Sequence, residues 1–129
     1  MTLPLSTLTG GDETALLVST DESVRSAIED ILQALGYTVI FAAMGKPVSQ
    51  DWQADSTPSI LVCERSLANQ RMERRWIDSL RESKQNLRHV AVLAPDANIA
   101  DTAPDADAHL FRPIAVIDLA RAMRAAVEN

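Results

Sequence analysis

The apolar residues of the chain form five short runs, which are separated by longer segments of mixed polarity. The runs are Thr14–Ser19, Tyr37–Ala42, Ser59–Cys63, His89–Leu93 and Ala108–Phe111. Each run is nearly continuous and about as long as one strand, which is typical of strands covered on both faces. The pattern therefore predicts five buried strands.

Three of the intervening segments carry apolar residues at helical spacing, so each would bury one side of a helix. The first stripe consists of Val24, Ile28, Ile31, Leu32 and Leu35. The second, within Arg65–Lys84, consists of Met72, Trp76, Ile77 and Leu80. The third, within Ala115–Glu128, consists of Val116, Leu119, Ala120, Met123 and Val127. Gly36 directly follows the first stripe and is the expected stop of that helix.

Two further segments predict weaker structure. Gly45–Thr57 predicts a short, poorly formed helix with loops. Pro95–Asp107 contains a second proline, Pro104, and four aspartates, so we expect a loop with at most one or two helical turns. Strands that alternate with helices predict an α/β fold with a doubly wound, five-stranded parallel sheet. Its fourth helix should be shortened or absent.

A length of 129 residues suits one domain. Residues 1–13 contain Pro4 and a Gly10–Gly11 pair and predict a flexible leader, which leaves residues 14–129 for the domain. This leader has neither the basic start nor the apolar stretch of a secretory signal, so we expect a cytoplasmic protein.

Composition and charge exclude several classes of protein. The 47% of apolar residues excludes global disorder, and no apolar run is long enough to cross a bilayer. A net charge of −6 argues against nucleic-acid binding by the domain as a whole. The single cysteine, Cys63, excludes an intramolecular disulfide and is expected to be a buried, inert thiol.

In an open parallel sheet the functional residues gather at the carboxyl ends of the strands. The first strand is followed by Ser19, Thr20, Asp21 and Glu22, and the third by Glu64 and Arg65. Ala94 follows the fourth strand, and Arg112 follows the fifth. No glycine-rich turn follows the first strand, which excludes a dinucleotide fingerprint and a P-loop. Asp21 and Glu22 suit a helix N-terminus, and capping is their expected role.

Four segments resemble the receiver domain of two-component response regulators, over Ala15 to Val127. They are LLVSTDESVRSAIEDILQALGYTV, PSILVCERSL, HVAVLA and ADAHLFRPI. The resemblance implies a flavodoxin- or CheY-like sheet with strand order 2-1-3-4-5. It also implies a site in which an aspartate accepts a phosphoryl group beside Mg²⁺ held by an acidic pair.

This sequence departs from the family at each of these site positions. The phosphoacceptor position holds Glu64, and the acidic pair falls on Ser19 and Thr20, or on Asp21 and Glu22 after a shift of one residue. The family's hydroxyl, aromatic switch residue and lysine fall on Ala94, His109 and Arg112. The chain therefore resembles a degenerate receiver, or pseudo-receiver. We expect no cofactor and no Mg²⁺, with Asp21 and Glu22 as the remaining candidates for a metal site.

The main hypothesis is a signalling domain that is not an enzyme, needs no phosphorylation and binds another signalling protein or an output domain. Glu64 and Arg112 would form an ion pair in place of the phosphoryl switch, and the chain would be mainly monomeric. Two alternatives remain open: a phosphorylatable receiver of a phosphorelay that uses Mg²⁺, and a sensor of a small ligand such as a nucleotide.

A basic run inside this acidic chain is the candidate partner face. It consists of Arg65, Arg71, Arg74, Arg75 and Arg81. Its usual meaning is a solvated helix face, paired in part with Glu73, Asp78 and Glu82. Docking of an acidic partner on Arg71, Arg74 and Arg75 is the functional alternative.

Overall fold

The computed structural model describes residues 13–46, 58–83 and 86–128, and these contain five strands and four helices. The strands are β1 (Thr14–Val18), β2 (Thr38–Phe41), β3 (Ile60–Glu64), β4 (Arg88–Leu93) and β5 (Ala108–Phe111). The helices are α1 (Glu22–Ala34), α2 (Gln70–Ser83), α3 (Ile99–Thr102) and α4 (Val116–Glu128). All five predicted strands are present.

The strands form one sheet in the order β2-β1-β3-β4-β5, and every neighbouring pair is parallel. This is the predicted doubly wound order. In the register of the central strands, Cys63 lies beside Val18 on one side and Ala91 on the other, and Glu64 lies beside Val92. The carboxyl ends of β1 and β3 are therefore level, so the residues that follow them meet at one edge.

Alternation along the strands sends successive side chains to opposite faces of the sheet. On one face α1 and α4 pack with Ile28, Leu32, Leu119 and Met123 against residues such as Leu17, Val62 and Val90. On the other face α2 packs with Ile77 and Leu80 against Leu16 and Leu61. The middle of each predicted apolar stripe is thus the buried side of its helix, but three stripe residues near helix ends are exposed: Met72 (46%), Val116 (55%) and Val127 (49%).

Helix α1 begins and ends at residues that the sequence indicates. Asp21 caps it, because Oδ1 of Asp21 accepts hydrogen bonds from the backbone N–H groups of Ser23 (2.9 Å) and Val24 (3.2 Å). After Leu35, Gly36 has a φ of 95°, in the left-handed region that favours glycine. Capping was the role expected for Asp21, and Gly36 was the expected stop.

Helix α3 has only four residues, as the prolines of this segment predict. It begins after Asn98, whose side chain accepts a hydrogen bond from the backbone of Asp101, and the chain leaves helical geometry at Ala103, just before Pro104. The four aspartates of this segment do not act only by repelling one another. Asp105 and Asp107 are each paired with an arginine, at 3.1 Å from Arg65 and 2.7 Å from Arg81.

Parts of two predicted segments lie outside the described residues. These are residues 1–12 of the leader and residues 47–57 of the weak second helix, including Trp52. Within the described ranges, no helix is long and apolar enough to cross a membrane.

Candidate functional site

A cleft of about 470 Å³ lies at the carboxyl ends of β1, β3 and β5. Its walls include Thr20 and Asp21 after β1, Glu64 at the end of β3, and Arg112 after β5. The cleft forms here because parallel strands end at the same edge, while the helices that follow diverge above and below the sheet. The structure therefore brings these predicted site residues into one cavity.

Glu64 lies at the centre of the polar contacts in the cleft. Its Oε2 is 3.8 Å from Nη1 of Arg112, and its Oε1 accepts a hydrogen bond of 3.2 Å from the hydroxyl of Thr20. The expected ion pair is present, but it is a single contact beyond hydrogen-bond length and not the bidentate fork that arginine can form. The side chain of Arg112 is 33% exposed, so solvent screens the attraction.

The residue of the β1–α1 loop that bonds to Glu64 is Thr20. The acidic residues Asp21 and Glu22 lie elsewhere in the loop and the first turn of α1. Oδ1 of Asp21 is engaged by the first turn of α1, while Ser19 bonds to the backbone of Asp21 through its hydroxyl. Glu22 lies exposed in that first turn. A hydroxyl at position 20 can donate to a carboxylate, whereas a second carboxylate there would repel Glu64. Among the described residues, no group of three or more metal-ligating side chains is placed to hold a metal ion.

The two other positions singled out by the resemblance lack the chemistry of a switch. Ala94 has a methyl group and offers no side-chain donor. His109 is half-buried in β5, with Nε2 at 2.8 Å from the carbonyl oxygen of Ala103. Because a carbonyl only accepts, Nε2 carries the proton and donates it. His109 is thereby tied to the end of α3.

Arg65 does not lie on the solvated helix face predicted for the basic run. It was expected on a solvated helix face, yet its side chain is fully buried beneath α2. Nε of Arg65 is 3.1 Å from Oε1 of Glu73, and Nη1 is 3.1 and 3.2 Å from the two carboxylate oxygens of Asp105. Burial alone would lower the pKa of Arg65, but Asp105 and Glu73 raise it above its usual value. Arg65 is therefore a permanent internal cation.

The burial of Arg65 has a signal in the sequence that could have revealed it. Leu61, Cys63 and Arg65 are two residues apart, so strand alternation points all three toward the α2 face. Glu73 is also buried, and it accepts further hydrogen bonds from the backbone N–H and the hydroxyl of Ser66. Glu73 thus pairs with an arginine of the basic run, as expected, but the pair is buried and does not lie on a solvated helix face.

His89 lies beside this buried cluster. It is fully buried, and its Nδ1 is 4.0 Å from Oδ2 of Asp105. Burial, reinforced by the nearby charge of Arg65, lowers the pKa of His89 to about 3, so the imidazole is neutral at pH 7. As expected from its place early in β4, His89 does not reach the cleft.

Cys63 is fully buried, which confirms that part of the expectation for it. Burial raises the pKa of its thiol, so the group stays protonated at neutral pH. A protonated, inaccessible thiol is a poor nucleophile.

No protein-family model and no curated protein matches this sequence. Solved structures resemble it at low identity. A response regulator receiver domain protein from Clostridium thermocellum has a TM-score of 0.66 and 13% identity, with 90% of this chain and 94% of that chain covered. A signal receiver domain of a two-component signal transduction histidine kinase from the same organism has a TM-score of 0.69 and 14% identity, with 92% of this chain and 99% of that chain covered. A response regulator from Thermotoga maritima has a TM-score of 0.67 and 12% identity, with 91% of this chain and 98% of that chain covered. The fold is that of CheY-like receiver domains.

Proposed function

We propose that this chain is a receiver-like signalling domain that binds another protein without being phosphorylated. The observation that carries the proposal is the state of Glu64, which stands where the family's phosphoacceptor would stand and already contacts Arg112 and Thr20. Such a cleft has a fixed negative charge and a fixed positive charge. It would therefore hold one conformation with no phosphodonor.

The chemistry of the cleft argues against phosphoryl transfer. Glutamate carries one methylene more than aspartate, and transfer depends on placing the reacting oxygen to within about an ångström. Mg²⁺ prefers several oxygen ligands in near-ideal octahedral geometry. Of the two placements of the acidic pair, one offers only the hydroxyls of Ser19 and Thr20, and in the other Asp21 is engaged as a helix cap. Ala94 provides no group to hold a phosphoryl oxygen.

The role that follows is binding and not catalysis. The partner would be another signalling protein or an output domain, in the cytoplasm, and the chain would bind it as a monomer. The receiver fold supports this role, because such a fold offers surfaces on both sides of a rigid sheet. No nucleic acid is expected to bind, since the net charge is −6.

The test is to incubate the full chain with acetyl phosphate and Mg²⁺ and to measure its intact mass. We expect no gain of a phosphoryl group in the wild type or in Glu64→Gln. Glu64→Asp, which shortens the side chain to that of an aspartate, shows whether the rest of the cleft is competent. A stoichiometric gain in the wild type that Glu64→Gln abolishes would overturn the proposal in favour of a phosphorylatable receiver.

A further inference from the structure

The outer face of α2 carries three exposed arginines, Arg71, Arg74 and Arg75. Their spacing of three and four residues places them on one side of the helix. They line one end of a shallow groove of about 580 Å³, and Asp78 and Glu82 line it farther along the helix. We call this surface the arginine face.

Four of the described arginines have a carboxylate partner, and Arg71, Arg74 and Arg75 are not among them. Arg65, Arg81, Arg112 and Arg124 each lie within 4.0 Å of a carboxylate. Arg71, Arg74 and Arg75 form no ion pair with any residue that the structure describes, although Asp78 is one helical turn from Arg74 and Arg75. The one carboxylate between Arg71 and Arg75, Glu73, is turned inward to Arg65.

The result is a local excess of positive charge on a chain whose net charge is −6. An exposed guanidinium group binds a carboxylate in a planar, two-pronged geometry that an ammonium group does not match. Three such groups within about one turn form a surface that selects negative groups. Carboxylates of another protein are one source of them, and phosphates of a nucleic acid are the other.

The charges along the groove distinguish these two sources. Gln70 to Glu82 extends about 20 Å along the helix axis, positive at the first end and negative at the second. A nucleic-acid backbone is negative throughout, so the part lying beside Asp78 and Glu82 would be repelled. A protein segment can place acidic residues against the arginines and basic or neutral ones against the two carboxylates.

We infer that the arginine face is the docking surface for a segment of another protein that is acidic at one end and basic or neutral at the other. This inference rests on the proposed function, because it names the surface through which the domain would bind its partner. The face lies on the side of α2 away from the sheet. Docking there leaves the contact between Glu64 and Arg112 in place.

The experiment is a titration of the full chain with a peptide, monitored through the amide chemical shifts of the protein in NMR spectra. It is done at low ionic strength, where surface charges are least screened. The probe is a synthetic peptide as long as α2, with glutamates in one half and lysines in the other. A peptide of the same composition with alternating charges and a single-stranded DNA of similar length are the comparison ligands. Arg74→Glu is the test variant, and Arg121→Glu, the same change at an exposed position on α4, is its matched control.

We expect the peptide with separated charges to shift the amides of α2 and to bind more tightly than the alternating peptide or the DNA. Arg74→Glu should weaken its affinity about tenfold or more, and Arg121→Glu less than about threefold. Equal weakening by both variants would contradict the inference, and so would tighter binding of DNA or no peptide binding. Shifts of α2 that depend on protein concentration alone would instead identify a second copy as the occupant. The phosphodonor test reads mass, so the proposed function can fail or stand independently of this result.

Discussion

Two arginines that follow strand ends show how burial decides the role of a charged side chain. Arg65 is fully buried and contacts two carboxylates at 3.1 Å, whereas Arg112 is one-third exposed and reaches Glu64 at 3.8 Å. A buried cation must be compensated, because the interior does not solvate it as water does. Arg65 is thus a requirement of the fold, and Arg112 is free to serve the cleft.

Replacing Arg65 should therefore be costly. Arg65→Met would leave Glu73 and Asp105 buried without their cation, and we expect the free energy of unfolding to fall by about 3–5 kcal/mol. Arg74→Met is the matched control, because it removes an exposed arginine from α2, and it should change stability by less than about 0.5 kcal/mol. Urea unfolding followed by circular dichroism measures both. Similar values for the two variants would contradict the structural role of Arg65.

His89 should give the stability a dependence on pH between about 4 and 6.5. Its pKa falls from 6.5 to about 3 on folding, so in this range the unfolded chain binds a proton that the folded chain does not. The free energy of unfolding should then decrease as the pH falls, by up to about 1.4 kcal/mol per pH unit from this group. Burial alone would raise the pKa of Asp105, but Arg65 holds it below its usual 3.8. The loss of stability that follows protonation of Asp105 therefore begins at lower pH.

The measurement is a set of urea unfolding curves at pH values from about 4.5 to 7. His89→Leu replaces the imidazole by an apolar group and should flatten the profile in that range. His109→Gln removes the other imidazole of the chain and should keep the slope. A slope that survives His89→Leu would show that the buried imidazole is not its source.

At the scale of helices and strands, the elements that the sequence predicts well are those with a local signal. Strand β3 is apolar over five residues, and α1 has an apolar stripe, a capping aspartate and a terminal glycine within one short segment. Strand alternation indicates the burial of Arg65, but its partner Asp105 has no local signal, because Asp105 is 40 residues away and contacts Arg65 only in the folded sheet. The beginning of α2 at Gln70 also has no signal in the apolar stripe, because the first residue of that stripe is Met72.

The contact between Glu64 and Arg112 joins the segments that follow β3 and β5. Arg112→Ala would leave Glu64 with Thr20 as its remaining polar contact, so we expect faster amide hydrogen exchange in residues 65–69 and 114–117. Because the pair is partly exposed, the loss of stability should be about 1 kcal/mol or less. Arg124→Ala is the matched control, since it breaks the exposed pair with Glu128 far from these segments. Unchanged exchange in Arg112→Ala would show that the contact constrains neither segment.

At the scale of the whole molecule, the surface around β5 and α4 has some features that favour association of two copies and others that oppose it. Ile99, Phe111, Val116 and Ile117 are each more than one-third exposed, and such side chains favour association. A groove of about 520 Å³ between β5 and α4 also contains Asp107, Asp118 and Arg121. Because α3 has four residues, it contributes little apolar surface beyond Ile99.

We expect the chain to be mainly monomeric at tens of micromolar. A stable dimer buries about 800 Å² on each partner, which an intact helix in place of α3 would help to supply, and two copies that each carry a charge of −6 repel at low salt. Light scattering coupled to size exclusion, at low salt and at about 0.5 M salt, measures the mass. Because salt screens the repulsion but creates no apolar surface, a small rise in mass at high salt fits this expectation. A dimer that persists at low salt would contradict the expected monomer if Ile99→Asp abolishes it and Val127→Asp, a separate control variant at another exposed apolar position, does not. Such a result would place the centre of association at the exposed side chain of α3.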